Sequence, residues 1–292
     1  MNYNDKYTTG SLVEKLRDFE VFDRIVVVDN ASNDNSYEYL RLNFSGNNNI
    51  DIVRSMINGG YAKGNNVGIR YAIYNYDPDY IFVANSDIDV SEKTVMNMCT
   101  AMSKRQEYAI MAPIVKEGYN VWRLPGFLGV LESMFLIMFN LDKRRIKKKL
   151  TGSQKRIETV GVVEGSFFCI RREDYEAMDG LDERTFLYYE ENILARRAQS
   201  IGKKIGVLTR ERYHHYHSVT IKKIYRSSKR RAFPNFYKSC RIYNKYYLKT
   251  NFLQNIIFML CYALGYLERF LYDIVMTLVR TISSIGRKRD DV

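Results

Sequence analysis

Short apolar runs rich in β-branched residues alternate with stretches of helical periodicity through the first half of the chain. Arg24-Ile25-Val26-Val27-Val28, Ile50-Asp51-Ile52-Val53-Arg54 and Tyr80-Ile81-Phe82-Val83-Ala84 have the length and composition of buried strands, and 109–114 forms a fourth. Between them, Leu12, Val13, Leu16 and Phe19 share one face of a helix over 12–20. A polar turn after Asp29 opens a helix near 36–42, and a Gly/Asn loop at 58–66 leads into a helix reaching about Tyr74. Ser91 caps a helix over 92–104. This alternation predicts an α/β architecture with a mostly parallel central sheet. Such sheets bind ligands beyond the carboxyl ends of their strands. The polar clusters at Asp29, Asn58 and Asn85 all fall there.

The second half is less regular. The segment 126–141 is almost continuously apolar, broken by Glu132, and is short for a membrane span. A strand pair or extended segment is expected over 160–171, and a short strand over 205–208. A helix is expected over 188–201, its acids at the start and Arg196-Arg197 later, as the helix dipole favours. From residue 223 the character changes. No charge occurs over 252–267; Glu268, Arg269 and Asp273 then interrupt an apolar stretch reaching Ile285. Charges fall inside any long window, so a single span fits poorly. One or two amphipathic helices lying at a membrane interface fit better, and a helical appendage packed on the preceding domain or on another subunit is the alternative. The division expected is a domain over 1–222 and a helical, basic and apolar region over 223–292.

With 292 residues, 46% hydrophobic and 14% aromatic, the chain has ample material for a packed core. A net charge of +12 points to anionic partners. The basic runs Lys143-Arg144-Arg145-Ile146-Lys147-Lys148-Lys149, Lys222 through Arg231, and Arg287-Lys288-Arg289 each follow or flank apolar sequence. That placement suits an anionic membrane surface, or simply a solvated face, better than a nucleic-acid groove, and no nucleic-acid-binding module is recognisable. Cys99, Cys169, Cys240 and Cys261 show no metal or redox spacing, and the first twenty residues are polar and charged rather than a signal peptide. A cytoplasmic location at the inner face of the cell membrane is therefore expected.

The chemistry concentrates in Asn85-Ser86-Asp87-Ile88-Asp89, where an apolar strand runs into oxygen ligands. Two carboxylates one residue apart suit Mg²⁺ or Mn²⁺ held against a diphosphate, though Asp-x-Asp at a strand end also serves as turn chemistry. The three histidines of the chain, His214, His215 and His217, crowd into one segment, and His215 or His217 is a candidate for the metal or the diphosphate. Zinc is disfavoured because nothing completes a tetrahedral site.

Together these motifs resemble the family 2 glycosyltransferases of GT-A fold, in their rhamnosyltransferase-like branch, over roughly 3–220. Val26-Val27-Val28-Asp29-Asn30-Ala31-Ser32 is similar to the family's nucleotide-recognition turn. Asn58-x-Gly60-Tyr61-Ala62-x-Gly64-Asn65-Asn66 is similar to its next signature, and Asn85-Ser86-Asp87 to its metal motif. Glu164-Gly165-Ser166-Phe167 and Gly180-Leu181-Asp182-Glu183 precede Phe186-Leu187-Tyr188-Tyr189-Glu190-Glu191 in the family order. The resemblance implies a nucleoside-diphosphate sugar donor, dTDP- or UDP-linked. It places Tyr3, Asn4, Asp29, Asn30, Ser32, Gly60, Gly64, Asn65, Asn66 and Asn85 around that donor, with Asp29 accepting from the pyrimidine imide. Helix capping is the alternative for Asp29, a tight structural loop for the glycines and asparagines, and helix-dipole charge for the two glutamates. Asp87 is the implied metal ligand, with Asp89 an extra carboxylate, and Glu191 the implied base, giving inversion by single displacement. The acceptor expected is a lipid-linked saccharide in surface polysaccharide assembly. Two departures stand out. Ile193 replaces an expected Asp. Tyr3-Asn4 follows Met1-Asn2 directly, where the family has a full hydrophobic strand, so reduced stability and donor affinity are expected. A catalytically impaired nucleotide-sugar-binding or scaffold protein is the alternative function.

Overall fold

The computed structural model describes residues 1–117, 120–136, 153–216 and 229–290, with side chains beyond Thr277 and that of Lys229 outside the description. Helix α1 (Lys6–Leu16) precedes strand β1 (Ile25–Asp29), α2 (Ser36–Phe44), β2 (Ile50–Arg54), α3 (Gly60–Tyr76) and β3 (Tyr80–Ala84). There follow β4 (Ile88–Asp89), α4 (Glu92–Lys104), β5 (Tyr108–Val115), β6 (Val121–Trp122) and α5 (Phe127–Ser133). The second half adds β7 (Ile157–Val160), β8 (Val162–Val163), β9 (Phe167–Arg171), α6 (Arg172–Ala177), α7 (Glu190–Ser200) and β10 (Lys204–His215). Helix α8 (Lys229–Tyr243), a π-helical turn (Asn244–Leu248) and α9 (Phe252–Asp290) complete it.

The α/β alternation holds, but the sheet is mixed rather than mostly parallel. β1 pairs with β2 in parallel, and β5 with β10 in parallel, while β9 inserts antiparallel between β3 and β5. The order is β3-β9-β5-β10-β4, with β7 on the side of β10. The reversal follows from the chain: β7 and β8 lead into β9 with no helix between them, so β9 does not enter by the helical crossover that a parallel neighbour needs. Two apolar clusters sandwich the sheet. Ile69, Ile81, Ile110, Ile170, Leu194 and Val207 belong to one; Val95, Met98, Met102, Met111, Phe167 and Tyr213 to the other.

Two elements differ from the periodicity, and a third settles an alternative it left open. α1 starts earlier, where Asp5 receives the Thr8 hydroxyl and the Thr9 amide, and it ends at Leu16. Phe19 and Phe22 then turn back beneath β3, with Phe22 edge-on to Phe82 at 5.4 Å. β10 runs twelve residues, through the polar run Thr209-Arg210-Glu211-Arg212, because a register shift between Leu208 and Arg212 absorbs those side chains. The C-terminal apolar stretch is one 39-residue helix rather than two. No helix among the described residues is long and apolar enough to cross a membrane.

At the amino end, Asn2 forms a single parallel bridge to Asp29, donating its amide to Val28 O and accepting from Asn30 N. Beyond that bridge a groove of ≈ 520 Å³ runs between β1 and β3, lined by Leu12, Val26, Ile69 and Phe82 among others. The boundary expected near 222 lies outside the described residues. The C-terminal helices pack back onto the preceding part of the chain: Phe233, Cys240, Tyr243 and Phe258 share one cluster with Val130, Met134, Tyr189 and Ile193. Ile193 is fully buried there, which accounts for an apolar residue at that position.

Candidate active site

Three strand ends and the start of α7 meet on one rim. Asp29, at the end of β1, is fully buried; Oδ1 accepts from Asn2 Nδ2 at 2.8 Å and Oδ2 from Ser32 N at 3.1 Å. Ser32 Oγ in turn accepts from Asn2 Nδ2 and from Asn4 N. Asn4 holds the left-handed φ of 52° and accepts from Asn33 N. Tyr3 is half-buried beside this network. Asn2, absent from the expected set, is its hub, since Thr9 Oγ1 also donates to its side-chain oxygen at 2.8 Å. Asn30 donates to Asn58 Oδ1 and Gly60 O, and its own buried Oδ1 has no protein partner among the described residues. An orphaned buried acceptor is costly, and a ligand donor would satisfy it.

The asparagine and glycine signature is largely structural. Gly60 holds φ of +86°, and a Cβ there would sit 2.0 Å from Phe186 O. A Cβ on Gly64 would strike Met1 Sδ at 2.1 Å and press on Asn30. Both glycines thus serve chain packing. Asn66 is a fully buried clamp: it donates to Leu181 O and Glu183 Oε1 and accepts from Tyr175 Oη and Leu181 N. Those four bonds use its hydrogen-bonding capacity, so a sugar-binding role is withdrawn for Asn66. Asn65 donates back to Tyr61 O within α3.

At the end of β3, the Asn85 amide donates to Ser166 O at 2.8 Å. Asp87 is 9% exposed, and its Oδ1 lies 3.3 Å from His215 Nε2. His215 Nδ1 lies 3.6 Å from Glu164 Oε1. Burial works against a charge on this ring, but the hydrogen bond with Asp87 and the neighbouring Glu164 and Glu117 carboxylates outweigh it and raise the His215 pKa. Asp89 is drawn elsewhere: its carboxylate pairs with Lys15 of α1 at the exposed side of β4, so it does not join Asp87. His214 is held by Glu117 and Lys116. His217 lies outside the described residues.

The acids of α7 come directly after two consecutive left-handed residues, Tyr188 (φ 76°) and Tyr189 (φ 69°). Such backbone costs about 1–3 kcal/mol per residue and persists where its surroundings over-determine it. Here the Tyr188 and Tyr189 rings both pack edge-on to Phe236 of α8. Glu190 is 4% exposed, and its Oε1 has no protein partner among the described residues. Glu191 Oε1 accepts from Gly165 N at 3.2 Å. Burial, then the Glu191 charge, pushes the Glu190 carboxyl well up; burial also raises Glu191.

The segment Glu164–Gly165–Ser166 joins the two halves. Glu164 faces His215, Gly165 donates to Glu191 and accepts the Tyr61 hydroxyl at 2.5 Å, and Ser166 meets Tyr213 Oη at 2.7 Å. Glu164, Tyr61 and Asn2 were not in the expected set. The Glu-Gly-Ser signal was visible, but its role as a bridge required the fold.

Among the described residues no three His, Cys, Asp or Glu side chains form a ready metal cage. The pair of Asp87 carboxylate and His215 imidazole fits a divalent cation that takes its remaining ligands from phosphate oxygens and water, as Mg²⁺ and Mn²⁺ do.

Fold and rim together define a nucleotide-sugar-type α/β architecture, and the matches to known proteins agree. The family model for glycosyl transferase family 2 matches residues 2–178. The chain belongs to that family. It is 26% identical over 208 residues to the low-salt glycan biosynthesis hexosyltransferase Agl10 of Haloferax volcanii, covering 70% of this chain and 62% of that one. It is 24% identical over 155 residues to the rhamnosyltransferase WbbL of Escherichia coli K12, covering 50% and 56%. The chain thus spans about three-fifths of the length of these relatives. In structure it is similar to the mannosyltransferase PcManGT from Pyrobaculum calidifontis, solved with GDP-Man and Mn²⁺, with a TM-score of 0.58 and 12% identity over 98% of this chain and 78% of that one. That likeness supports the fold.

Proposed function

We propose that this protein is an inverting, metal-dependent glycosyltransferase that moves a sugar from a dTDP- or UDP-linked donor to a lipid-linked saccharide in surface polysaccharide assembly. It would work at the cytoplasmic face of the membrane, with the C-terminal region as its membrane-associating part. One observation carries the reading: Asp87, His215, Glu164, Gly165 and Glu191 form a continuous chain of contacts along one rim. That chain sets the Asp87–His215 pair and the two buried glutamates of α7 on opposite sides of one short segment.

Asp29, Asn30 and Ser32 would receive the nucleotide base, with the Asn30 Oδ1 as a free acceptor. Asp87 and His215 would hold Mg²⁺ or Mn²⁺, which as Lewis acid neutralises a departing diphosphate. Glu191 would take the proton of the acceptor hydroxyl as it attacks the anomeric carbon from the face opposite the leaving group. Its raised pKa brings it nearer to neutral pH, where a general base is most effective.

Release of nucleoside diphosphate from UDP-, dTDP- and GDP-linked sugars with Mn²⁺ tests this. Turnover lost in both Asp87→Ala and Glu191→Gln supports it. Donor binding without turnover in the wild-type protein, with or without lipid-linked acceptor, would instead make it a nucleotide-sugar-binding scaffold.

A further inference from the structure

Helix α9 is built inside out. Between Phe252 and Thr277 it carries three charged side chains, and all three turn toward the protein. Arg269 is 6% exposed, donates to Met134 O and Gly265 O, and stacks 3.7 Å from the Phe233 ring centroid. Glu268 accepts from Leu136 N at 2.9 Å, and Asp273 faces Arg230 at 3.5 Å. The outward side is apolar: Leu253, Leu260, Leu264, Leu267 and Leu271 are each more than half exposed, and Phe270 is 41% exposed. At about 100° per residue these positions and their neighbours fill roughly half the helix circumference over some 36 Å. A soluble monomer rarely shows so large an apolar face to water.

We propose that this outward half of α9 lies on an anionic lipid surface. The charge beside it decides between lipid and a second copy of the chain. Residues 229–249, which lead into α9, hold seven Lys or Arg residues (229, 230, 231, 238, 241, 245 and 249) and no Asp or Glu. Lys238, Arg241, Lys245 and Lys249 are exposed. A two-fold pairing of this face would bring those like charges together, whereas anionic headgroups neutralise them. The inward ion pairs and hydrogen bonds hold the helix flat against the domain, so it lies in the interface rather than standing across it. Tyr266 and Tyr272, 38% and 39% exposed, sit where ring and hydroxyl can span headgroup and acyl chain. The helix also shares a core with Tyr189 and Ile193, which flank Glu190 and Glu191. The lipid surface and the proposed base are therefore coupled by one cluster, as a lipid-carried acceptor requires. This deepens the membrane part of the function proposed above and does not depend on sugar transfer.

The test is flotation of the full-length protein with vesicles of phosphatidylcholine, with and without phosphatidylglycerol, together with its mass in solution. The wild-type protein should float with the anionic vesicles. Leu260→Glu/Leu264→Glu/Leu267→Glu should lose that binding, and Lys245→Glu/Lys249→Glu should weaken it roughly tenfold or more. Both variants should keep the wild-type melting temperature and any thermal shift with donor, because the altered side chains are exposed. Docking and donor binding thus fail separately. Three outcomes would overturn the proposal: no binding to any vesicle, equal binding to neutral and anionic vesicles, or a wild-type dimer that the triple variant makes monomeric.

Discussion

Glu190 and Glu191 impose the sharpest demand on this molecule. Two adjacent carboxyls enter α7 in a buried setting, and both titrate above the ordinary 4.5. The native state therefore holds protons that the unfolded chain has already released. Their contribution to stability is full below pH 4.5 and is lost as pH rises through the pair's own higher value. Glu190→Gln should raise the melting temperature near neutral pH and change it little at pH 4.5. Glu190 keeps its proton to higher pH than Glu191 and is therefore neutral where Glu191 titrates, so the same change should leave the acid limb of the pH–rate profile in place. A limb displaced by Glu190→Gln would show that Glu190 rather than Glu191 sets it. Glu191→Gln should cost about 10²–10⁴ in rate, the usual worth of a general base. Asn66→Ala should do the reverse: it leaves Leu181 N and the Tyr175 hydroxyl without their acceptor, for about 1–3 kcal/mol of stability, while donor affinity of the folded protein is unchanged. A loss of donor affinity without loss of stability would restore Asn66 to the sugar pocket. The family resemblance singled out Asp29, Asp87 and Glu191, and each lies on the rim where strand ends and the start of α7 meet. The sequence could not separate Asn66 from Asn30, since both are buried amides in similar motifs, and only their partners distinguish them. Asp89 was misleading for the same reason: adjacency to Asp87 in sequence says nothing of Lys15, 74 residues away.

Strands declared themselves where they are short and β-branched, which is why β1, β2 and β3 begin and end within a residue of the expected bounds. β10 hid its second half because polar residues at a bulge break the alternation on which recognition rests. Antiparallel insertion of β9 was hidden too, because strand direction is set by connections and not by composition. The groove between β1 and β3 belongs to this level. Asn2 makes one bridge, and the strand period then turns the backbone groups of Val26 toward the groove. A short Val/Ile-rich extension fused ahead of Met1 should pair there in parallel with β1. Stability gained at about 1 kcal/mol raises melting by some 2–4 °C in a chain of this size. An unchanged melting temperature would show that the edges are already satisfied.

The C-terminal region could be read from sequence as helical, basic and apolar, but not as part of the site. Its role comes from Phe236, which braces Tyr188 and Tyr189, and from Tyr243 and Phe258 in the cluster beneath them. Ending the chain after residue 216 should expose that cluster, lower the melting temperature and release the strained turn ahead of Glu190. A shortened chain that melts like the full one, and binds donor equally well, would show that the two parts are independent.

The most direct measurement is thermal stabilisation of the purified protein by UDP, dTDP and GDP and their sugars, with and without Mn²⁺ or Mg²⁺. Ligand bound to the native state stabilises it in proportion to RT ln(1 + [L]/Kd). A shift that needs both nucleotide and metal, and that vanishes in Asp87→Ala, is the predicted result. A shift of equal size without metal, or one unchanged in Asp87→Ala, would contradict the assignment of the Asp87–His215 pair.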